Sequence, residues 1–146
     1  MDGYRPLPRK VEPLSEAVTK YMRSNRGKDT KPEVILRKAL RAAGIRGYRL
    51  HWKKVPGRPD IAFPGKKVAV FVNGCFWHRC PKCNLSMPAH NAEFWRQKFN
   101  NNVLRDENKL RQLADLGWTT LVIWECELGA DVENQVIKVA ALLRPA

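Results

Sequence analysis

Two apolar, β-branched runs, KVAVFVNGC (residues 67–75) and TTLVIWEC (residues 119–126), flank the amphipathic stretch NAEFWRQKFNNNVLRDENKLRQLADLG (residues 91–117). Runs of that composition read as strands buried on both faces. The stretch between them places Trp95, Phe99, Val103, Leu110 and Leu113 on one helical stripe and stops at Gly117. Strand, long helix, strand is a crossover, right-handed by the general rule, and it makes the two strands parallel. The chain is therefore expected to be an α/β protein built around this unit.

The flanking segments extend it. TKPEVILRKALRAAG reads as a helix, with Thr30 as N-cap, Pro32 in the first turn, Glu33 completing a T-x-x-E capping box and Gly44 as the stop. YRLHWKKV is expected as a strand, and PGRPDIAF turns into another through Pro56 and Gly57. PGKK makes a tight turn, and DVENQVIKVAALLR forms a last helix. Upstream, SEAVTKYMRSN has helical spacing, whereas residues 1–13 carry three prolines among charges and suit an extended arm. The expected organisation is a basic arm over residues 1–13 and one domain over residues 14–146.

The chain carries a formal net charge of +13, which favours a polyanionic partner, because each neutralised phosphate releases a counterion. The charge is uneven, with 16 Lys and Arg against six acidic residues in the first 60 positions. No apolar run approaches the roughly 20 residues that span a bilayer, and the amino terminus lacks the apolar core of a signal peptide. The expectation is an intracellular soluble protein without membrane attachment.

In a reducing compartment, closely spaced cysteines are better read as thiolate ligands than as bridges. Cys75 and Cys126 follow the two parallel strands at their carboxyl ends, so they can be neighbours in space. With Cys80 and Cys83 they make a four-thiolate set suited to a closed tetrahedral zinc site; an alternative set uses His78 or His90 as one ligand. A closed site leaves no position for substrate, so such a zinc is structural.

At GRPD, VNGCFWHRC, NVLRD and LGWTTLVIWEC, and at the earlier MRSNRGKDTKPE, the chain resembles the very short patch repair (Vsr) DNA mismatch endonucleases. The resemblance covers about residues 20 to 128. It implies a restriction-endonuclease-like mixed central β-sheet flanked by helices (the PD-(D/E)xK superfamily), with a structural zinc and catalytic Mg2+. The implied activity is nicking of one DNA strand at a T:G mismatch left by deamination of 5-methylcytosine. Double-stranded DNA carrying a mismatch is the implied partner. Mismatch-repair proteins, a cytosine-5 methyltransferase system, a monomeric state and a prokaryotic cytoplasmic, nucleoid-associated location are further implications.

Carried over by position, Asp60 is the implied magnesium carboxylate, joined by the Val72 backbone carbonyl, and His78 is the implied general base. Glu33 and Asp106 match further acidic positions, although a cap explains Glu33 equally well and a solvated helix face explains Asp106. The chain departs from the family at Val72-Asn73-Gly74, where the familiar pattern is Thr-His-Gly. Asn73 can orient a water or a phosphate oxygen but cannot exchange protons as histidine does. Phe76, Trp77 and Trp95 match aromatics that wedge into the base stack, with Phe76 and Trp77 expected to project from a rigid loop. Arg23, Arg26 and Lys28, with Arg5, Arg9, Lys10 and Lys20 of the arm, would clamp the duplex. Two alternatives remain at this level: a nuclease with another mismatch or sequence target, and a zinc-stabilised DNA-binding module without catalysis.

Overall fold

A computed structural model describes residues 29–83 and 85–144. The expected arm, the helix expected from Ser15, and Arg23, Arg26 and Lys28 lie outside them. The described elements run α1 (Lys31–Ala42), β1 (Arg49–Leu50), β2 (Ile61–Phe63), β3 (Val68–Asn73), α2 (Cys75–His78), α3 (Ala92–Asp115), β4 (Thr119–Trp124), α4 (Glu125–Ala130) and α5 (Val132–Leu143). A 3-10 turn, Pro64–Lys66, joins β2 to β3.

The four strands form one mixed sheet in the order β1-β2-β3-β4. β2 is antiparallel to β1 and β3, while β3 and β4 are parallel across α3, in register from Val68↔Thr119 to Asn73↔Trp124. Every residue of β3 is buried because helices cover both of its faces. Val68, Val70 and Val72 pack with Leu36, Leu40, Ile123, Leu128 and Val139 beneath α1, α4 and α5. Ala69 and Phe71 meet Leu113 of α3 on the opposite face.

The two long helices before a turn end in the same way. Gly44 and Gly117 adopt φ +80° and +82°. In each case the glycine and the residue after it return hydrogen bonds to carbonyls of the last turn (Gly44 to Arg41, Ile45 to Leu40; Gly117 to Ala114, Trp118 to Leu113). A side chain resists this left-handed position, which is why glycine stops both helices.

Three expectations need correction. β4 is a sheet edge among the described residues, and only Ile123 in it is buried, so its apolar run does not reflect burial on both faces. The strand expected over YRLHWKKV ends after Leu50, because His51 turns to φ +48°. Thr30 is the N-cap of α1, but its side chain caps no backbone amide. Glu33 Oε2 instead accepts from the Asp29 backbone N–H at 2.9 Å, one residue further back than a capping box requires.

Candidate functional site

Asp60 stands at the entry to β2, after a turn whose Gly57 and Arg58 both have positive φ. Its Oδ2 accepts a hydrogen bond from the Val72 backbone N–H at 2.7 Å. Val72 lies two residues beyond Val70, which pairs with Ile61, the first residue of β2. In an antiparallel pair the N–H and C=O of one residue face the same neighbour. The Val72 carbonyl is thereby directed to the Asp60 side, past the point where β2 can use it.

The first turn of α1 brings Glu33 to the same place, with 4% of its surface exposed. Burial, then the nearby Asp60 charge, pushes the Glu33 carboxyl above the usual range, and burial does the same to Asp60. His51 sits among these groups. Its Nε2 is 3.3 Å from Asp29 Oδ1 and 3.6 Å from Glu33 Oε2, and its Nδ1 is 4.0 Å from Asp60 Oδ1. Its backbone N–H also donates to the Asp60 carbonyl at 3.2 Å. Hard cations take oxygen donors, and the Asp60 and Glu33 carboxylates with the Val72 carbonyl offer them. Asp29, Glu33 and His51 are also close enough together to share an ion.

Across the cleft, His78 ends α2 and its Nδ1 lies 2.6 Å from Asp106 Oδ2 on α3. A ring that donates Nδ1–H to a carboxylate leaves Nε2 as its proton acceptor. Burial opposes ionisation of Asp106, yet the hydrogen bond from His78 and the charges of His78 and Lys109 hold its carboxyl below the ordinary range. Lys109 Nζ lies 3.1 Å from Asp106 Oδ1.

Asp29, Glu33, Asp60, Val72, His78 and Lys109 line one open cleft of about 1140 Å³, together with the buried Asn73 at the end of β3. That volume exceeds the roughly 300–1,000 Å³ of a small-molecule site and suits a polymer. Lys31, Lys38, Arg58, Lys98, Arg105 and Lys109 line it too.

The aromatic residues are not arranged as expected. Phe76 and Trp77 do not project from the loop; with Trp95 and Phe99 of α3 they form one packed cluster, with ring centres 5.1 to 5.9 Å apart. Trp77 and Trp95 are 8% and 4% exposed. With Phe94, which packs on Trp95, five aromatic rings of one short helix and one long helix bury more apolar area in mutual contact than a loop in water could. Trp77 nevertheless lines the cleft.

All four cysteines are free thiols, and their sulfur atoms lie within 4.8 Å of one another. Cys80 and Cys126 are 3.8 Å apart, and four thiolates around a zinc at about 2.3 Å stand about 3.8 Å from each other. Cys75 and Cys126 each follow by two residues the last registered pair of the parallel strands, Asn73↔Trp124. Burial pushes the Cys75 thiol up, whereas Cys80 is held below its usual range against burial by backbone N–H groups and by the neighbouring thiols. Neither His78 nor His90 belongs to this set among the described residues. The donors fit a closed structural zinc.

The profile of the family described as "DNA mismatch endonuclease Vsr" matches residues 15–85. The Type II nicking enzyme V.XorIIP of Xanthomonas oryzae pv. oryzae is 42% identical over 108 residues, covering 73% of this chain and 78% of that protein. The Type II nicking enzyme V.NaeI of Lentzea aerocolonigenes is 41% identical over 130 residues, 86% of this chain and 77% of that protein. The DNA mismatch endonuclease Vsr of Escherichia coli (strain K12) is 36% identical over 110 residues, covering 75% and 70%.

This chain belongs to the Vsr family of DNA mismatch endonucleases.

As a Vsr protein it is a DNA endonuclease. The expected residues Asp60, Val72, Glu33, Asn73, His78 and Asp106 all border the cleft or hold a group that does. His51 and Lys109 escaped the sequence reading. His51 lies in a run that reads as strand, and nothing local marks its left-handed turn. Lys109 lies on a helix rich in charge; its one signal is that it follows Asp106 by three residues, on the same helix face. No helix among the described residues is long and apolar enough to cross a membrane.

Proposed function

We propose that this Vsr protein is a Mg2+-dependent nicking endonuclease that cuts one strand of a DNA duplex at a T:G mismatch arising from 5-methylcytosine deamination. The observation that carries this reading is the convergence on one cleft of the Asp60 and Glu33 carboxylates with the His78–Asp106 pair.

Asp60, Glu33 and the Val72 carbonyl would hold the divalent ion, which when bound polarises the phosphate and stabilises the leaving oxygen. Asp106 fixes the His78 ring so that Nε2 takes a proton from the attacking water. The water oxygen bonds to phosphorus, and the opposite P–O bond breaks in line. Asn73 offers an amide to orient water or a phosphate oxygen but does not share the acid-base work. Cleft cations and Arg23, Arg26 and Lys28 neutralise the backbone. Phe76, Trp77 and Trp95 supply the wedge, and a mispaired step unstacks at lower cost than a matched one. Zinc on Cys75, Cys80, Cys83 and Cys126 secures the loop that carries His78. Action as a monomer in the cytoplasm, alongside mismatch-repair proteins and a cytosine-5 methyltransferase, belongs to the same reading.

The test is a cleavage assay on duplexes carrying every mismatch in randomised flanks, with and without magnesium. Metal-dependent nicking confined to T:G duplexes is expected. Cleavage of other mismatches or of matched sites would reassign the target, and bound duplex with no product at any metal concentration would leave a binding module.

A further inference from the structure

We propose that Lys109 is a catalytic residue whose ammonium engages a non-bridging oxygen of the scissile phosphate, between the Asp60 carboxylate and the His78–Asp106 pair. This rests on the endonuclease reading above.

The ammonium is held where two halves of the cleft meet. It contacts Asp106 Oδ1 at 3.1 Å, while the other oxygen of Asp106 serves His78 at 2.6 Å. Its charge also opposes the effect of burial on Asp60, whose carboxyl burial nevertheless keeps above the ordinary range, and both residues line the cleft. It lies 4.2 Å from the centre of the Phe71 ring, its side chain is 16% exposed, and it lines the cleft.

A second element builds this placement. A Cβ at Gly57 would stand 2.8 Å from the Lys109 Cβ, so a glycine at φ +80° lets the Pro56–Pro59 turn close onto the lysine stem. That turn also delivers Asp60, so one loop seats both groups. An exposed i,i+3 ion pair stabilises a helix only slightly and requires no such accommodation.

The chemistry calls for a cation at this point. In-line displacement at a phosphodiester spreads negative charge over the non-bridging oxygens. Asp60 and Glu33 are taken up as oxygen donors, Asp106 repels that charge, and His78 is committed to the water proton. The Lys109 ammonium exchanges one acceptor for another. When the ammonium turns from Asp106 to the phosphate, Asp106 keeps His78 as its partner.

The experiment compares the full chain with its Lys109→Met and Lys109→Arg variants by single-turnover nicking of a T:G duplex, metal-free duplex affinity, and Mg2+ calorimetry without DNA. Lys109→Met is expected to slow nicking about 100-fold or more, the scale of losing one preorganised donor to a developing oxyanion. Its duplex affinity should stay within about threefold, and Mg2+ should bind at least as tightly, because a cation beside Asp60 has gone. Lys109→Arg keeps the charge and should retain a rate within about tenfold of the parent. Nicking by Lys109→Met at the parental rate overturns the proposal. So does a loss that tracks weaker Mg2+ or duplex binding, or an arginine variant as slow as the methionine variant. If the parent chain nicks no duplex, the endonuclease reading falls, and weaker Mg2+ binding by Lys109→Met would separately remove Lys109 from the Asp60 site.

Discussion

The Asp60 carboxylate accepts a hydrogen bond from the Val72 backbone amide at 2.7 Å, so the loop that precedes β2 is tied to β3, the second strand of the hairpin. The same bond defines which side of β3 faces the cleft. It also holds a half-buried carboxylate in a place where burial favours its neutral form.

Asp60 therefore carries an activity-for-stability trade. A carboxyl raised above its unfolded value by burial stabilises the fold at low pH and loses that contribution as pH rises through the folded value. Asp60→Asn keeps an acceptor for Val72 and removes the charge. At neutral pH without metal it should raise the unfolding temperature by about 2–4 °C, corresponding to about 1 kcal/mol, and the gain should vanish in acid. It should also abolish nicking. Thermal unfolding at both pH values and a cleavage assay check the pair of outcomes; an unchanged or lowered unfolding temperature at neutral pH contradicts it.

Asp106 behaves oppositely. Its carboxyl sits below the ordinary range, so its contribution to stability is present above the unfolded value and is lost as pH falls through the folded one. Asp106→Asn favours the wrong His78 tautomer and should lower the single-turnover rate about 10³- to 10⁴-fold with duplex binding intact. A gel-shift titration beside a nicking time course measures both.

Gly57→Ala should cost about 1–3 kcal/mol, since it combines a left-handed backbone with a side chain driven into Lys109. The Asp60 loop must lift to relieve the contact, so nicking should fall further than stability alone explains. Denaturant titration together with kinetics on the still-folded fraction separates the two effects.

Trp77 should show both faces of the aromatic cluster. Trp77→Ala empties a packed site and should cost about 3–5 kcal/mol, whereas Trp77→Phe keeps most of the apolar volume. If the indole reaches the base stack, Trp77→Phe lowers the ratio of T:G to matched-duplex affinity while the unfolding temperature changes little. An unaltered ratio assigns Trp77 to packing.

Chelation of zinc, or Cys126→Ser, should remove one metal equivalent per chain and lower the unfolding temperature steeply, because four thiols at ligand spacing otherwise lack a centre. Elemental analysis of the purified chain, followed by melting with and without chelator, tests this; a metal-free chain with unchanged melting refutes it.

Much of this architecture is legible from residue order. The parallel β3–β4 pair follows from two apolar runs and the helix between them, and it brings Cys75 to Cys126. β4 misleads because an edge strand facing partial cover needs the same β-branched residues as a central one. The stretch around His51 misleads for a different reason. Its alternation continues past Leu50, but a single residue at φ +48° ends the strand and turns an imidazole into the carboxylates. The aromatic residues were correctly gathered and wrongly pointed. Spacing puts Trp95 and Phe99 on one stripe of α3 and Phe76 and Trp77 side by side after β3, whereas their mutual packing depends on how α2 lies on α3, where Asn102 donates to the Trp77 carbonyl.

The register Asn73↔Trp124 sets the geometry of the cysteine cluster. Cys126 is supplied by the last strand to emerge, after the whole of α3. A slip of one residue between β3 and β4 would move Cys126 by about 3.3 Å along the strand and turn its neighbours to the opposite face. The four sulfurs can close around an ion only after the crossover has docked in its proper alignment. The sulfur cluster is thus a readout of the β3–β4 alignment, assembled only in chains whose sheet is correctly threaded.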